Sequence, residues 1–241
     1  FAESGFPTPR KEAWKYTNLS RLARSPFCLS ADIPAPDIAG WTELFVEGCD
    51  RIVTINGRFA ELASSIGDLQ TGVTVTSLSA AVADFDPVLE KQLTQFAPRD
   101  GAPLVALNTA CMRDGLVLKI PDNVILDRPV QVVHIVDCGS SAIAVHPRTL
   151  VVAGENSAAT VIETFAGAAG LNYWTNAVSE ILLGKNATVT HIKRQSESCA
   201  AYHTALTQVR LDEGACFSSV ALAVGALLSR NEVKLGFEGE G

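Results

Sequence analysis

The sequence predicts a mainly β protein, with a parallel β-helix over residues 116–241 and a smaller mixed α/β region over residues 1–115. Three observations carry that expectation. The segments TLVVAGENSAATVIET (149–164), SEILLGKNATVTHIKR (179–194) and TQVRLDEGACFSSVAL (207–222) share one design: an apolar strand, a tight polar turn and a second, alternating strand. Ala159, Ala187 and Ala215 follow the turns at a spacing of 28 residues, and NEVKLGFEGEG (231–241) opens a fourth copy. Repeats of this length mark stacked architectures, because one copy cannot bury its own apolar face. From Leu116 onward the runs LVLKI, VQVVHIV and AIAVHPRTLVV are β-branched and alternating, without helical periodicity. The turns Gly154-Glu155-Asn156, Gly184-Lys185-Asn186 and Asp212-Glu213-Gly214 supply residue types that tolerate left-handed backbone. An antiparallel sandwich uses similar turns but gives no reason for a recurring spacing.

Ahead of the repeats, Pro9 followed by Lys11, Glu12 and Ala13 suits a helix start, with Trp14, Leu19 and Leu22 docking one face onto the body. Trp14 and Tyr16 read together as an aromatic anchor. SADIPAPDIAG (30–40) has the composition of a linker. RIVTINGRFAEL (51–62) reads as a hairpin, since Asn56-Gly57 is the favoured type I′ turn. VTVTSL (73–78) follows as a strand. Residues 79–97 read as a helix capped by Ser79 and split at Pro87, with Val88, Leu89, Leu93 and Phe96 on one face. PLVALNTACMRDG (103–115) reads as a second helix ending at Gly115.

The chain of 241 residues carries net charge −7, from 19 basic and 26 acidic residues, with no Lys or Arg run longer than two. Neutralising a phosphate backbone needs a concentrated basic face, so nucleic acid and anionic membrane are excluded as expected partners. The longest apolar run, Val220 to Leu228, falls short of the roughly 20 residues that cross a bilayer. No charged-then-apolar leader opens the chain. Six cysteines without C-x-x-C spacing read as reduced thiols, which points to a cytoplasmic protein.

Nucleotide and hydrolase motifs fail on spacing. Gly184-Lys185 is followed by Asn186 and lacks the upstream glycine of a P-loop, and no G-x-S-x-G elbow is present. One constellation has metal-ligand chemistry: His191, Cys199 and His203 in HIKRQSESCAAYH. Imidazole and thiolate suit zinc, copper or iron–sulfur species. If the segment is two strands joined by a polar loop, the two histidines face each other across it; the alternative is a solvated loop. Cys216 reads as an apolar filler in a strand, and His134 and His146 as strand-surface residues. On these residues the chain is a scaffold without catalytic groups.

P-T-P-R-K-E-A-W-K-Y-T-N-L (7–19), ALNTACMRDGLVLKIP (106–121) and LLSRNEVKLGFEGEG (227–241) together resemble the SufB/SufD family of the SUF iron–sulfur cluster assembly system, and the W-K-Y segment resembles its SufD branch. The resemblance implies a right-handed parallel β-helix between helical regions. It further implies a non-catalytic scaffold subunit supporting cluster assembly and iron acquisition. The implied partners are a SufB-like paralogue or a second copy through the β-helix, and the ABC-type ATPase SufC through a C-terminal part. No cofactor is intrinsic; iron or an iron–sulfur cluster comes through the complex, with which a flavin is also associated. Family members run past residue 241, so the ATPase-docking helices and the interface histidine are expected beyond it. The rival readings are a stand-alone iron-binding protein using His191, Cys199 and His203, and a β-helical polysaccharide-acting enzyme. The latter needs a groove of clustered Asp, Arg or Lys on one strand face.

Overall fold

The computed structural model describes residues 1–2, 4–29, 38–93, 97, 101–139 and 141–239. Among these, fourteen strands build two sheets, of eight and six strands. The strands are β1 (Cys28–Leu29), β2 (Asp50–Ile55), β3 (Arg58–Phe59), β4 (Thr74–Ser77), β5 (Gly115–Ile120), β6 (Val130–Val136), β7 (Ile143–Val145), β8 (Arg148–Ala153), β9 (Ala158–Gly167), β10 (Tyr173–Leu183), β11 (Thr188–Glu197), β12 (Tyr202–Leu211), β13 (Cys216–Gly225) and β14 (Leu228–Phe237). Four short helices accompany them: α1 (Ser20–Arg24), α2 (Leu78–Ala83), α3 (Pro87–Gln92) and α4 (Pro103–Cys111).

From β5 onward the chain alternates between the sheets. Strands β5, β8, β10, β12 and β14 stack in parallel in the wide sheet, and β6, β9, β11 and β13 in the narrow one. This is a parallel β-solenoid, as the repeat requires. β7 and β8 are two halves of one strand beside β10, interrupted at His146-Pro147. Each coil turns at one edge through Asn156, Asn186 or Gly214, with φ of 55°, 56° and 66°. The asparagines also form a ladder: Asn186 Nδ2 donates to Asn156 Oδ1 at 3.1 Å, and Asn156 Nδ2 to Asn123 Oδ1 at 3.0 Å.

The repeat register differs from a uniform 28-residue period. Thr188 pairs with Cys216 at that spacing but with Ala158 on the other side, 30 residues back. Two extra residues sit in the loop between β9 and β10. Ala187 therefore stacks with Ala215 and with Ser157, while Ala159 pairs with Val189. A two-residue slip keeps the side chain on the same face, so Ala159 and Ala187 both remain in the apolar core.

The hairpin at Asn56-Gly57 forms as expected, with φ of 51° and 76° at the two turn residues. β2 pairs in parallel with β6, and β4 pairs antiparallel with β5, so strands from both sides of residue 115 share the sheets. The helix expected to split at Pro87 is indeed two pieces, α2 and α3, with Phe85 (φ 50°) between them and Pro87 opening the second. Its cap is Ser77, whose hydroxyl accepts from Ala80 N, and not Ser79. Ser79 instead donates its hydroxyl to Asp114, a buried carboxylate that also accepts from the backbone of Phe59, Ser79 and Gly115. Phe96 and most of the proline-rich linker (30–37) lie outside the described residues.

The N-terminal segment covers the outer face of the wide sheet. Leu19 and Leu22 are buried with Leu104, Trp174 and Tyr202. Trp14 is half-buried under Arg230, whose guanidinium lies 4.0 Å from its ring centroid. Tyr16 does not join the anchor and is 92% exposed, because its side chain falls on the solvent side of this segment. Cys216 is likewise exposed, its outward parity on β13 placing it at the surface.

A buried ion pair fixes α4 to the sheet. Arg148 and Glu180, both fully buried, meet through Nε at 3.1 Å and Nη2 at 2.5 Å from Glu180 Oε2. Asn108 of α4 accepts from Arg148 Nη1 at 3.0 Å and donates to the carbonyls of Pro147 and Asn176. Gly115 passes so close to the Arg148 backbone that a Cβ has no room. Breaking such a pair strands a buried charge. Arg148→Met is expected to cost about 3–5 kcal/mol by urea unfolding, with most of it recovered in the double variant Arg148→Met/Glu180→Leu. A single variant as stable as the parent would show that the pair is dispensable.

Candidate functional site

The solenoid interior is divided lengthwise. Near the asparagine turns the inward positions are apolar: Leu118, Val151, Ile181 and Val209 on the wide sheet face Val132, Val161 and Val189 on the narrow one. Toward the other edge the same inward parity brings polar side chains. On β11 the buried positions run Val189, His191, Lys193, Gln195 and Glu197. On the neighbouring coils they meet Thr54, His134, Glu163 and Phe165 from the narrow sheet, and Thr149, Tyr173, Thr175, Ser179 and His203 from the wide one.

Glu163 is the centre of this cluster. It accepts from Ser179 Oγ at 2.8 Å and 2.9 Å, from Thr149, and from His191 Nε2 at 2.9 Å. Burial pushes a carboxyl up, yet the His191 contact, the Lys193 ammonium and the Thr149 hydroxyl hold this one far below the usual carboxylate range. Glu197 is a second such group: burial opposes ionisation, but His203, Thr175 Oγ1 at 2.6 Å and Gln195 Nε2 at 3.0 Å lower it. Lys193 is pushed down to about 8 by burial, against the pull of Glu163 and Glu197. Its Nζ donates to Asn231 Oδ1 at 3.0 Å and lies 4.8 Å from the Phe165 ring centroid.

The two histidines of the sequence-derived metal candidate are both buried, His191 on β11 of the narrow sheet and His203 on β12 of the wide one, and each lies against a different carboxylate. His191 is engaged by Glu163 and approaches Ser219 Oγ at 3.4 Å. His203 Nδ1 stands 2.7 Å from Glu197 Oε2. Cys199 sits exposed on the turn between the strands. Among the described residues no group of three or more His, Cys, Asp or Glu side chains is arranged to hold a metal ion.

His134 and His146 correct the surface expectation. Both are buried, and burial pushes each imidazole down to about 4. His134 points inward from β6 and shares a 2.7 Å hydrogen bond between Nδ1 and Thr54 Oγ1. His146 meets Asn176 Nδ2 at 3.2 Å beneath the N-terminal segment. Parity gives the signal that finds the inward residues: once Val189 is placed inside, every second residue of THIKRQSE follows it.

The fold is a parallel β-solenoid with a paired polar interior, and among the described residues no helix is long and apolar enough to cross a membrane. Comparison with known proteins places it more closely. Residues 1–132 match the SufBD protein N-terminal region, and residues 135–241 match the SufBD core domain of SUF system FeS cluster assembly. The chain belongs to the SufBD family. It is 32% identical over 241 residues to an iron–sulfur cluster assembly SufBD family protein of Synechocystis, covering 95% of this chain and 52% of the relative. It is 30% identical over 182 residues to the iron–sulfur cluster assembly protein SufD of Bacillus subtilis (74% and 41%), and 24% identical over 249 residues to SufD of Escherichia coli (98% and 53%). The chain thus spans about half the length of these relatives.

Three buried neutral imidazoles give the fold a directional response to acid. For His134, His146 and His203 the folded value lies below the unfolded one of about 6.5. The unfolded chain therefore binds more protons below that pH, and stability falls as pH drops from about 6.5 toward 4. Protonating Glu163 and Glu197 adds to the loss at still lower pH, since their folded values are depressed. Urea midpoints measured across this range are expected to decline, and less steeply in His134→Gln. A flat profile, or an unchanged slope in the variant, would contradict the buried neutral assignment.

Proposed function

We propose that this chain acts as a SufD-type, non-catalytic scaffold in iron–sulfur cluster assembly, working in a reducing cytoplasmic compartment. Its support begins with the family match, which runs over nearly the whole chain. Within the fold, the segment that resembles the SufD branch meets a second stretch that resembles the SufB/SufD family. Trp14 of the W-K-Y segment lies under Arg230 of LLSRNEVKLG, and Arg230 Nη1 donates to Thr17 Oγ1 at 3.1 Å. That contact is the observation that carries the SufD reading, because it gives the branch-typical N-terminal residues a specific place on the solenoid.

The interior chemistry agrees with a scaffold. Glu163, His191, Glu197 and His203 are engaged with one another and with hydroxyls, an arrangement that holds coils together rather than presenting a nucleophile to solvent. In this reading iron or a nascent cluster is cargo of the complex, and the partners are a SufB-like paralogue along the solenoid and a SufC-type ATPase. The test is co-purification of the full-length protein with SufB- and SufC-type partners. The expected result is a stable complex containing all three proteins. Recovery of the protein alone, at concentrations where the other two associate, would overturn the assignment.

A further inference from the structure

The outer face of the wide sheet carries a cleft between the N-terminal segment, the start of α4 and β14. Its volume is ≈ 110 Å³, of the same order as the ~150 Å³ cavity that takes benzene. Val178 of β10, Leu206 of β12 and Leu104 of α4 supply an apolar floor, and Trp14 forms one wall. Arg230 and Lys234 line the rim from consecutive outward positions flanking Glu232.

The charges at this rim do not balance. Glu232 accepts from Arg230 Nη2 at 3.0 Å and from Lys234 Nζ at 3.2 Å, so one carboxylate serves two cations. Burial pushes Glu232 up, but hydrogen bonds from Lys234 and Arg230 outweigh it and keep the group ionised. The guanidinium is held on the Trp14 ring and by Thr17 Oγ1, while its buried Nε has no hydrogen-bond partner among the described residues. Among the described residues at the rim the surplus is one positive charge, which a monoanion matches and a dianion exceeds.

We propose that this cleft binds a small organic carboxylate with a ring-sized or short branched apolar tail. The carboxylate lies against Lys234 at the rim, and the tail rests on Val178, Leu206 and Leu104. Such a site combines a concave apolar floor with a few convergent polar groups, as small-molecule sites do. It is independent of the polar interior; it shares Trp14 and Arg230 with the contact that supports the SufD-type reading, which does not depend on a ligand there.

Benzoate is the probe, titrated calorimetrically into the intact chain, with benzyl alcohol as an uncharged analogue of the same shape. Saturable one-to-one binding is expected, weaker by about tenfold or more for benzyl alcohol and for Lys234→Gln with benzoate. Leu206→Trp, which fills the floor, is expected to abolish it. The circular dichroism of both variants is recorded first, and if Leu206→Trp fails to fold, Lys234→Gln and the benzyl alcohol comparison decide. No saturation by benzoate up to its solubility would overturn the proposal, as would equal affinity for benzyl alcohol or undiminished binding in Lys234→Gln. Co-purification with SUF partners is unaffected by any of these outcomes, so the two readings fail separately.

Discussion

Donors from three strands converge on one buried carboxylate, that of Glu163, and much of the solenoid interior is arranged around satisfying it. Thr149 and Ser179 reach it from the wide sheet and His191 from the next coil of the narrow one. A carboxylate removed from water without partners is costly, and the same low dielectric strengthens each contact once it is made. The contacts tie β8 and β10 to β9 across the interior, and β9 to β11 along it. The apolar half of the interior stacks on any coil of similar volume, whereas this carboxylate accepts only a register that returns its donors. Burial of Val, Ile and Leu supplies the bulk of the driving force; the polar half supplies specificity of stacking.

The outer faces of the sheets follow the same division of labour. Helix α4 brings Asn108 onto the Arg148–Glu180 pair, and Leu104 onto Trp174 and Tyr202. The segment around Trp41, Leu44 and Phe45 covers Val53, Val133 and Ile135 on the narrow sheet. The irregular first part of the chain is therefore a cover for the solenoid's first coils.

Much of this architecture was legible in the sequence, and the failures have physical causes. Asn156, Asn186 and Gly214 announced the coil edge because only such residues adopt left-handed backbone cheaply. The coil made by β5 and β6 escaped the repeat because its pairings to the next coil run at 33 and 31 residues, as in Gly115 with Arg148 and Val130 with Val161. Alignment on Ala159 missed the two-residue insertion before β10, since period-two alternation looks the same after such a slip. The interior site was the least legible. In THIKRQSE the inward residues are His191, Lys193, Gln195 and Glu197 while Ile192 faces outward, which inverts the usual rule that polar means solvent. The histidines drew notice as metal ligands because spacing records residue type, not the carboxylate that waits on another strand.

The central claim is that the Glu163 cluster holds neighbouring coils in register, and amide hydrogen exchange on Glu163→Leu tests it most directly. The substitution leaves Ser179, Thr149 and His191 without their acceptor and Lys193 with only one of its two neighbouring anions, Glu197. The account predicts that β9, β10 and β11 lose protection together, in both sheets, while β2 and β6 change less. Protection that is unchanged, or lost in β9 alone, would contradict it.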